Sequence, residues 1–245
     1  MNKTEHRIAM WSGPRNISTA LMRSWGNRPD TYVCDEPLYA HYLLSTGITN
    51  HPGYAETIAS HETDWRKVVS WLTGPIPEGK AIFYQKHMAH HVLPDMELSW
   101  VESLTNCLLI REPREMLTSL LEFLPEPRLE DTGLPHQMWL FEHLREKGGQ
   151  TPPILDARDV LNDPSRILAQ LCERVGIAFS TEMLFWEPGL RPTDGAWAPF
   201  WYSKVADTTS FGTYQPKKVT LPTKFLPLLN ECDEIYRRLY GFRLE

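Results

Sequence analysis

Four short stretches bring together residue types that could do chemistry, and each follows an apolar run. In Trp11-Ser12-Gly13-Pro14-Arg15-Asn16-Ile17-Ser18-Thr19 the run turns and then enters a helical pattern. Free N–H groups and the positive end of the dipole at a helix N-terminus favour an anion, and Arg15, Ser18 and Thr19 add a cation and two hydroxyls. The stretch departs from G-x-x-x-x-G-K-S/T, so an ordinary ATP or GTP loop is a poor match, and a merely capped helix is the plain alternative. In Leu108-Leu109-Ile110-Arg111-Glu112-Pro113, Arg111 stands at the end of a second run, Pro113 opens a helix, and Ser119 falls in its second turn. Open α/β sheets bind ligands at such strand ends, so Arg111 could meet a phosphate with paired donors; a surface salt bridge is the alternative. Cys34-Asp35-Glu36-Pro37 and Gln85-Lys86-His87-Met88-Ala89-His90-His91 offer carboxylates, an amine and imidazoles.

Positioning these groups takes elements that the pattern supplies. Runs with β-branched or aromatic members at 7–11, 31–34, 81–85, 106–110 and 153–155 read as strands. Helical spacing occupies 18–25, 65–72, 113–123, 137–145, 164–175 and 225–240. Strands that are apolar on both faces and alternate with helices predict an α/β fold with a parallel sheet covered on each side. Asp163 before Pro164 is an N-cap and first-turn pair, and Gly176 is a stop. Residues 186–222, with Trp186, Trp197, Phe200, Trp201 and Tyr202 among prolines and no sustained period, read as a long ordered loop that packs on the core or covers a ligand.

Together the first two stretches resemble the sulfotransferases that use 3′-phosphoadenosine 5′-phosphosulfate (PAPS). Pro14-Arg15-Asn16-Ile17-Ser18-Thr19 looks like that family's 5′-phosphosulfate loop, P-K/R-S-G-T-T, and Arg111, Pro113 and Ser119 keep the spacing of its 3′-phosphate motif, R-x-P-x-x-x-x-x-S. Asp156-Ala157-Arg158-Asp159-Val160-Leu161-Asn162-Asp163-Pro164 resembles the family's Y-E-D-L-x-x-D-P strand and helix, and Leu168 to Gly176 its L-C-x-x-x-G ending. The resemblance implies a three-layer, P-loop-NTPase-like fold with a central parallel sheet in one domain over 1–245. It implies that Gly13 to Thr19 hold the 5′-phosphosulfate and that Arg111 and Ser119 hold the 3′-phosphate. Ile17 stands where the family has glycine, the only residue that takes positive φ freely. The late R-K-G-x-x-G-x-W loop is missing, and Thr208 to Tyr214 with Lys217 and Lys218 are the stand-in.

The same resemblance suggests the reacting groups. Glu36, 21 residues after Arg15, matches the C-G-E-E segment of tyrosylprotein sulfotransferases and is the leading base. Lys86 matches the lysine of the cytosolic enzymes' K-T-H by position, while His87 falls one residue early and His90 and His91 later; His87 and His90 are the candidate imidazole bases. Arg15 and Lys86 would steady the transferring group. Tyr39, His41, Tyr42, Trp197 and Trp201 would line an acceptor pocket. A metal on His87 and His91 at i and i+4 lacks an adjacent carboxylate motif, and the implied chemistry requires none. The expected reaction is transfer of a sulfuryl group to a hydroxyl or amine of a small molecule, leaving adenosine 3′,5′-bisphosphate. A P-loop kinase of a small metabolite and an inactive bisphosphate-binding module are the alternatives.

Composition bounds the rest. With 245 residues, 42% hydrophobic and 23% charged, the chain can bury a core, and 25 Lys and Arg against 31 Asp and Glu leave −6, which disfavours a nucleic-acid-gripping surface. Four scattered cysteines, Cys34, Cys107, Cys172 and Cys232, read as reduced thiols. Neither a signal peptide nor an apolar stretch of membrane-spanning length is recognisable, so a cytoplasmic protein without a membrane partner is expected.

Overall fold

The computed structural model describes residues 4–149, 151–216 and 220–245. The five apolar runs become β1 (His6–Ser12), β2 (Thr31–Asp35), β3 (Ile82–Met88), β4 (Thr105–Ile110) and β5 (Ile154–Asp156). They form one parallel sheet in the order β2-β3-β1-β4-β5. The intervening helices are α1 (Ser18–Gly26), α2 (Tyr39–Thr46), α3 (Tyr54–Ser60), α4 (Trp65–Thr73), α5 (Ser99–Glu102), α6 (Pro113–Leu120), α7 (Leu134–Gly148), α8 (Ala157–Asn162) and α9 (Pro164–Arg174). After them come α10 (Ala198–Trp201), α11 (Ser203–Ala206) and α12 (Leu226–Tyr240).

Strand alternation divides the sheet into two buried faces. Ile8, Met10, Val33, Tyr84, Cys107, Leu109 and Leu155 pack against α1 and α9, whereas Ala9, Trp11, Phe83, Leu108, Ile110 and Ile154 pack toward α4, α7 and α12. The result is a three-layer α/β fold of the expected class. Every pairing is parallel, so each connection is a crossover, those from β1 to β2 and from β3 to β4 pass over an intervening strand, and the carboxyl ends of β1, β2, β3 and β4 all face one edge.

Local signals explain the boundaries. Asp163 accepts a hydrogen bond from Arg166 N to cap α9, and Gly176, at φ 73°, ends it. Glu112 accepts from Glu115 N and Pro113 occupies the first turn of α6, which ends at Leu120 rather than Phe123. Strand β3 runs three residues beyond the expected Gln85, so Lys86 and His87 are strand residues on opposite faces. Helices α2, α3, α5 and α8 are additions to the sequence expectation. The stretch 186–222 carries two one-turn helices, α10 and α11, and buries Trp186, Trp197 and Tyr202.

Candidate active site

The turn between β1 and α1 is fixed by close packing. A Cβ on Gly13 would lie 2.4 Å from the carbonyl oxygen of Thr132, so only glycine fits. Gln137 on α7 donates to the carbonyls of Trp11 (3.0 Å) and Leu109 (2.9 Å), joining the ends of β1 and β4. Asn16 donates to the same Leu109 carbonyl at 3.0 Å. Ile17, where the family resemblance has glycine, sits at φ −90°, while Arg15 takes the left-handed conformation at φ 55°. The turn's unusual backbone therefore falls on the candidate cation, two residues before the position flagged by sequence.

Helix α1 begins without a side-chain cap, and its first intrahelical bond runs from Leu21 N to Ile17 O. The N–H groups of Ser18, Thr19 and Ala20 are thus the helix's orphan donors, and Ser18 is buried beside them. Arg15 Nε donates to Ser119 Oγ at 3.0 Å, and Arg111 donates to the Arg15 carbonyl at 2.5 Å. The two sequence motifs, 96 residues apart in the chain, are in direct contact. Arg15 forms no salt bridge among the described residues; its guanidinium lies 4.4 Å from the Phe123 ring centroid. Burial lowers its pKa, with Glu122 opposing and Arg111 adding to the effect. Arg111 also reaches Glu115 at 3.3 Å, and Tyr214 donates to the other Glu115 oxygen at 2.7 Å. Thus Tyr214, from the stretch chosen as stand-in for the late loop, lies beside the Arg111 motif; Lys217 and Lys218 lie outside the described residues.

A second constellation closes the ends of β2 and β3. Lys86 is fully buried, and its ammonium donates to Asp35 Oδ1 (2.7 Å), to Glu36 Oε1 and to the Tyr202 hydroxyl (2.9 Å). Those contacts use all three of its donors, so Lys86 braces Glu36 instead of presenting an amine to the cleft. Glu36 takes φ 41°, a second non-glycine residue in the left-handed region, and its other oxygen has no hydrogen bond among the described residues. Burial raises its pKa, Lys86 opposes that, and Asp35 adds to it. Backbone strain of this kind concentrates at functional sites.

The histidines separate. His87 lies on the opposite face from Lys86, stacked on Trp11 at 4.2 Å, with burial and Lys86 lowering its pKa to about 3; it is a core residue of that face. His90 and His91 follow in a single 3₁₀ turn. Tyr39 and Tyr42 stack on His91 at 5.0 and 4.6 Å, and Tyr42 meets His90 edge-on at 5.3 Å. Burial lowers the pKa of His90 to about 3 with help from His136 and His51, and it holds His91 well below the ordinary imidazole value. Trp201 packs on Phe123 at 5.2 Å and on His51 at 6.3 Å, which links the aromatic loop to the ring over Arg15. Trp197 is buried edge-on against Tyr39, and His41 turns to the Thr63 carbonyl. Of the expected acceptor-pocket residues, Tyr39, Tyr42, Trp197 and Trp201 share this neighbourhood, and His41 contributes elsewhere.

Sequence reasoning missed Asp35 as a partner, and it missed Tyr202, Phe123 and Gln137. A charged residue next to Glu36 at the end of an apolar strand was the signal for Asp35; the others act through contacts that no local spacing reveals.

Comparison with known proteins agrees with this architecture. The profile of the sulfotransferase domain family matches residues 6–223. Branched-chain-amino-acid aminotransferase-like proteins 2 and 1 of Arabidopsis thaliana are 35% and 34% identical to the chain. Those alignments cover 95% of it, and the chain spans 41% of each relative's length. A sulfotransferase domain from the curacin biosynthetic pathway superposes with a TM-score of 0.54 at 16% identity over 100% of both chains. A sulfotransferase from Alicyclobacillus acidocaldarius gives 0.56 at 10% identity over 99% of this chain and 98% of that one. These two are likenesses of fold; the profile match over most of the chain carries the assignment, and the chain belongs to the sulfotransferase domain family.

Proposed function

We propose that this chain transfers a sulfuryl group from PAPS to a hydroxyl or amine of a small-molecule acceptor. The observation that carries the reading is the contact between the β1–α1 turn and the Arg111–Ser119 segment, which sets two cations and an uncapped helix N-terminus side by side. The residues fit a nucleotide with two separate anionic groups. The turn holds three orphan N–H donors and Arg15, which makes no salt bridge among the described residues; Arg111 and Ser119 supply a second cation and a hydroxyl. When bound, PAPS supplies an activated sulfuryl group on a phosphate leaving group. Gly13 to Thr19 hold the 5′ end and Arg111 with Ser119 the 3′-phosphate, with Arg111 exchanging its long contact to Glu115 for the ligand. Arg15 steadies negative charge on the leaving phosphate.

Glu36 takes the acceptor's proton on the oxygen that Lys86 does not hold. With PAPS held by Gly13 to Thr19, Arg111 and Ser119, the acceptor's oxygen or nitrogen would gain the bond to sulfur that the phosphate oxygen would lose. The choice of Glu36 over His90 rests on basicity: a base works best with a pKa near the operating pH, Glu36 is displaced toward it, and His90 is displaced to about 3.

Calorimetric titration with adenosine 3′,5′-bisphosphate, with adenosine 5′-monophosphate and ATP as controls, tests the reading without an acceptor. Micromolar binding that requires the 3′-phosphate and no magnesium is expected. Preference for ATP with magnesium would instead favour a kinase, and tight bisphosphate binding without turnover over a broad acceptor panel would favour a binding module.

A further inference from the structure

The Lys86 cluster holds one cation and two carboxylates, so Asp35 and Glu36 compete for a single ammonium. Their other partners are unequal. Asp35 Oδ1 receives Lys86 at 2.7 Å, and its carboxylate also receives the Tyr202 hydroxyl (2.7 and 2.9 Å to the two oxygens) and the Gly195 N–H (3.1 Å). Glu36 receives Lys86 alone among the described residues. Tyr202 and Gly195 come from the aromatic loop, more than 150 residues downstream, and that loop is itself pinned where Asp194 makes a buried two-point ion pair with Arg23 of α1 (2.5 and 2.6 Å). The Tyr202 oxygen in turn accepts from Lys86 and from Trp197 Nε1 at 3.3 Å, which leaves its proton for Asp35.

We propose that Asp35 and Tyr202 are positioning residues that hold Lys86 against Asp35 and leave Glu36 as the carboxylate that gains and loses the proton. The inference rests on Glu36 being the base, and extends it by making the loop segment 194–202 part of the proton-accepting apparatus. A carboxylate given three donors holds its negative charge, and a neighbour given one donor beside that charge binds a proton more readily. The direction of the Glu36 pKa shift agrees. The other titratable groups near the cluster are Cys34 of β2 and Tyr84 of β3, both pushed up by burial, His87 of β3, pushed down by burial, Tyr39 from α2, and His61, whose imidazole accepts from Ala196 N; none of them donates to Glu36. His91 senses Lys86 from the turn after β3 and stays neutral.

Side-chain carboxyl NMR titration of the ¹³C-labelled full chain tests this, with Glu36→Gln identifying the signal. In Asp35→Asn, Lys86 serves Glu36 alone and the repelling charge is gone, so the Glu36 midpoint should fall by about one pH unit or more. In Tyr202→Phe, Asp35 loses a donor and draws Lys86 toward itself, so the Glu36 midpoint should rise. Opposite movements support the proposal. Movement in the same direction, no movement, or Asp35 titrating above Glu36 in the unaltered protein would overturn it. Tyr202→Phe removes one oxygen and keeps the ring, so it decides the matter even if Asp35→Asn fails to fold. Bisphosphate binding is measured on the same samples: failure of the unaltered chain to bind would sink the PAPS reading while leaving the titration to judge the carboxylates separately.

Discussion

Arg15 and Arg111 differ in what already occupies them, and their substitutions should differ accordingly. Arg15→Ala removes a cation that makes no salt bridge among the described residues and should weaken adenosine 3′,5′-bisphosphate binding by more than tenfold, since a hydrogen bond to a charged group is worth about 1.5–3 kcal/mol. Arg111→Ala should do the same selectively for nucleotides bearing a 3′-phosphate, so that adenosine 5′-monophosphate binds both forms equally in calorimetry. For Glu36 the consequence is in pH. Its folded pKa is raised, so the protonated form contributes stability that is present below the ordinary carboxylate range and lost as pH rises through the raised value. Glu36→Gln should therefore raise the thermal midpoint at pH 8 relative to the unaltered chain, and the gain should disappear near pH 4. Residue types at strand ends made Arg15, Arg111 and Glu36 visible in the sequence. Lys86 was visible too, but its task was not: that depends on β2 lying against β3 in register Asp35 to Lys86 and on Tyr202 returning from far along the chain.

At the level of elements, the β1–α1 turn is a packed joint, and its glycine has a steric reason. Gly13→Ala should cost about 1–3 kcal/mol, as overpacking against backbone does, and urea unfolding should record it. Ile17→Gly should restore nothing, because Ile17 has ordinary φ and its side chain packs on the core; loss of about 1–3 kcal/mol with unchanged bisphosphate affinity is the expectation. The aromatic loop predicts its own anchor. Asp194→Ala strands Arg23, which is 2% exposed, so a cost of about 3–5 kcal/mol is expected, together with faster hydrogen exchange over 190–202. The five strands and the long helices were legible because their apolar periods are strong and Asp163, Pro164, Pro113 and Gly176 punctuate them. Helices α2 and α3 were not, since Leu38 and Gly53 precede them without a capping side chain. The loop was legible as ordered by its tryptophans, but the split between buried Trp197 and site-facing Trp201 is decided only by packing.

For the whole molecule, buried neutral imidazoles set the acid limit. His87 and His90 have pKa values lowered to about 3 and His91 is lowered well below its ordinary value, all chiefly by burial. Depressed histidines contribute stability that is present above the unfolded value near 6.5 and lost as pH falls toward the folded one. Each should add about 1.4 kcal/mol per pH unit to the slope of stability between roughly pH 6 and 4. Urea midpoints measured from pH 7 to 4 should fall steeply, and His87→Gln, away from the site, should flatten the slope. The sheet order has a further consequence. Strand β1 is a seam: the Arg111 and Ser119 segment follows β4 on one side, while Glu36, Lys86 and the histidine turn follow β2 and β3 on the other. Under the reading given above, nucleotide and acceptor are served by separate halves of the molecule. Relatives can then diverge in the substance they modify by exchanging segments 31–91 and 186–202 while inheriting residues 105–120 intact, and chimaeras cut at the seam should bind the same nucleotide while changing their acceptors.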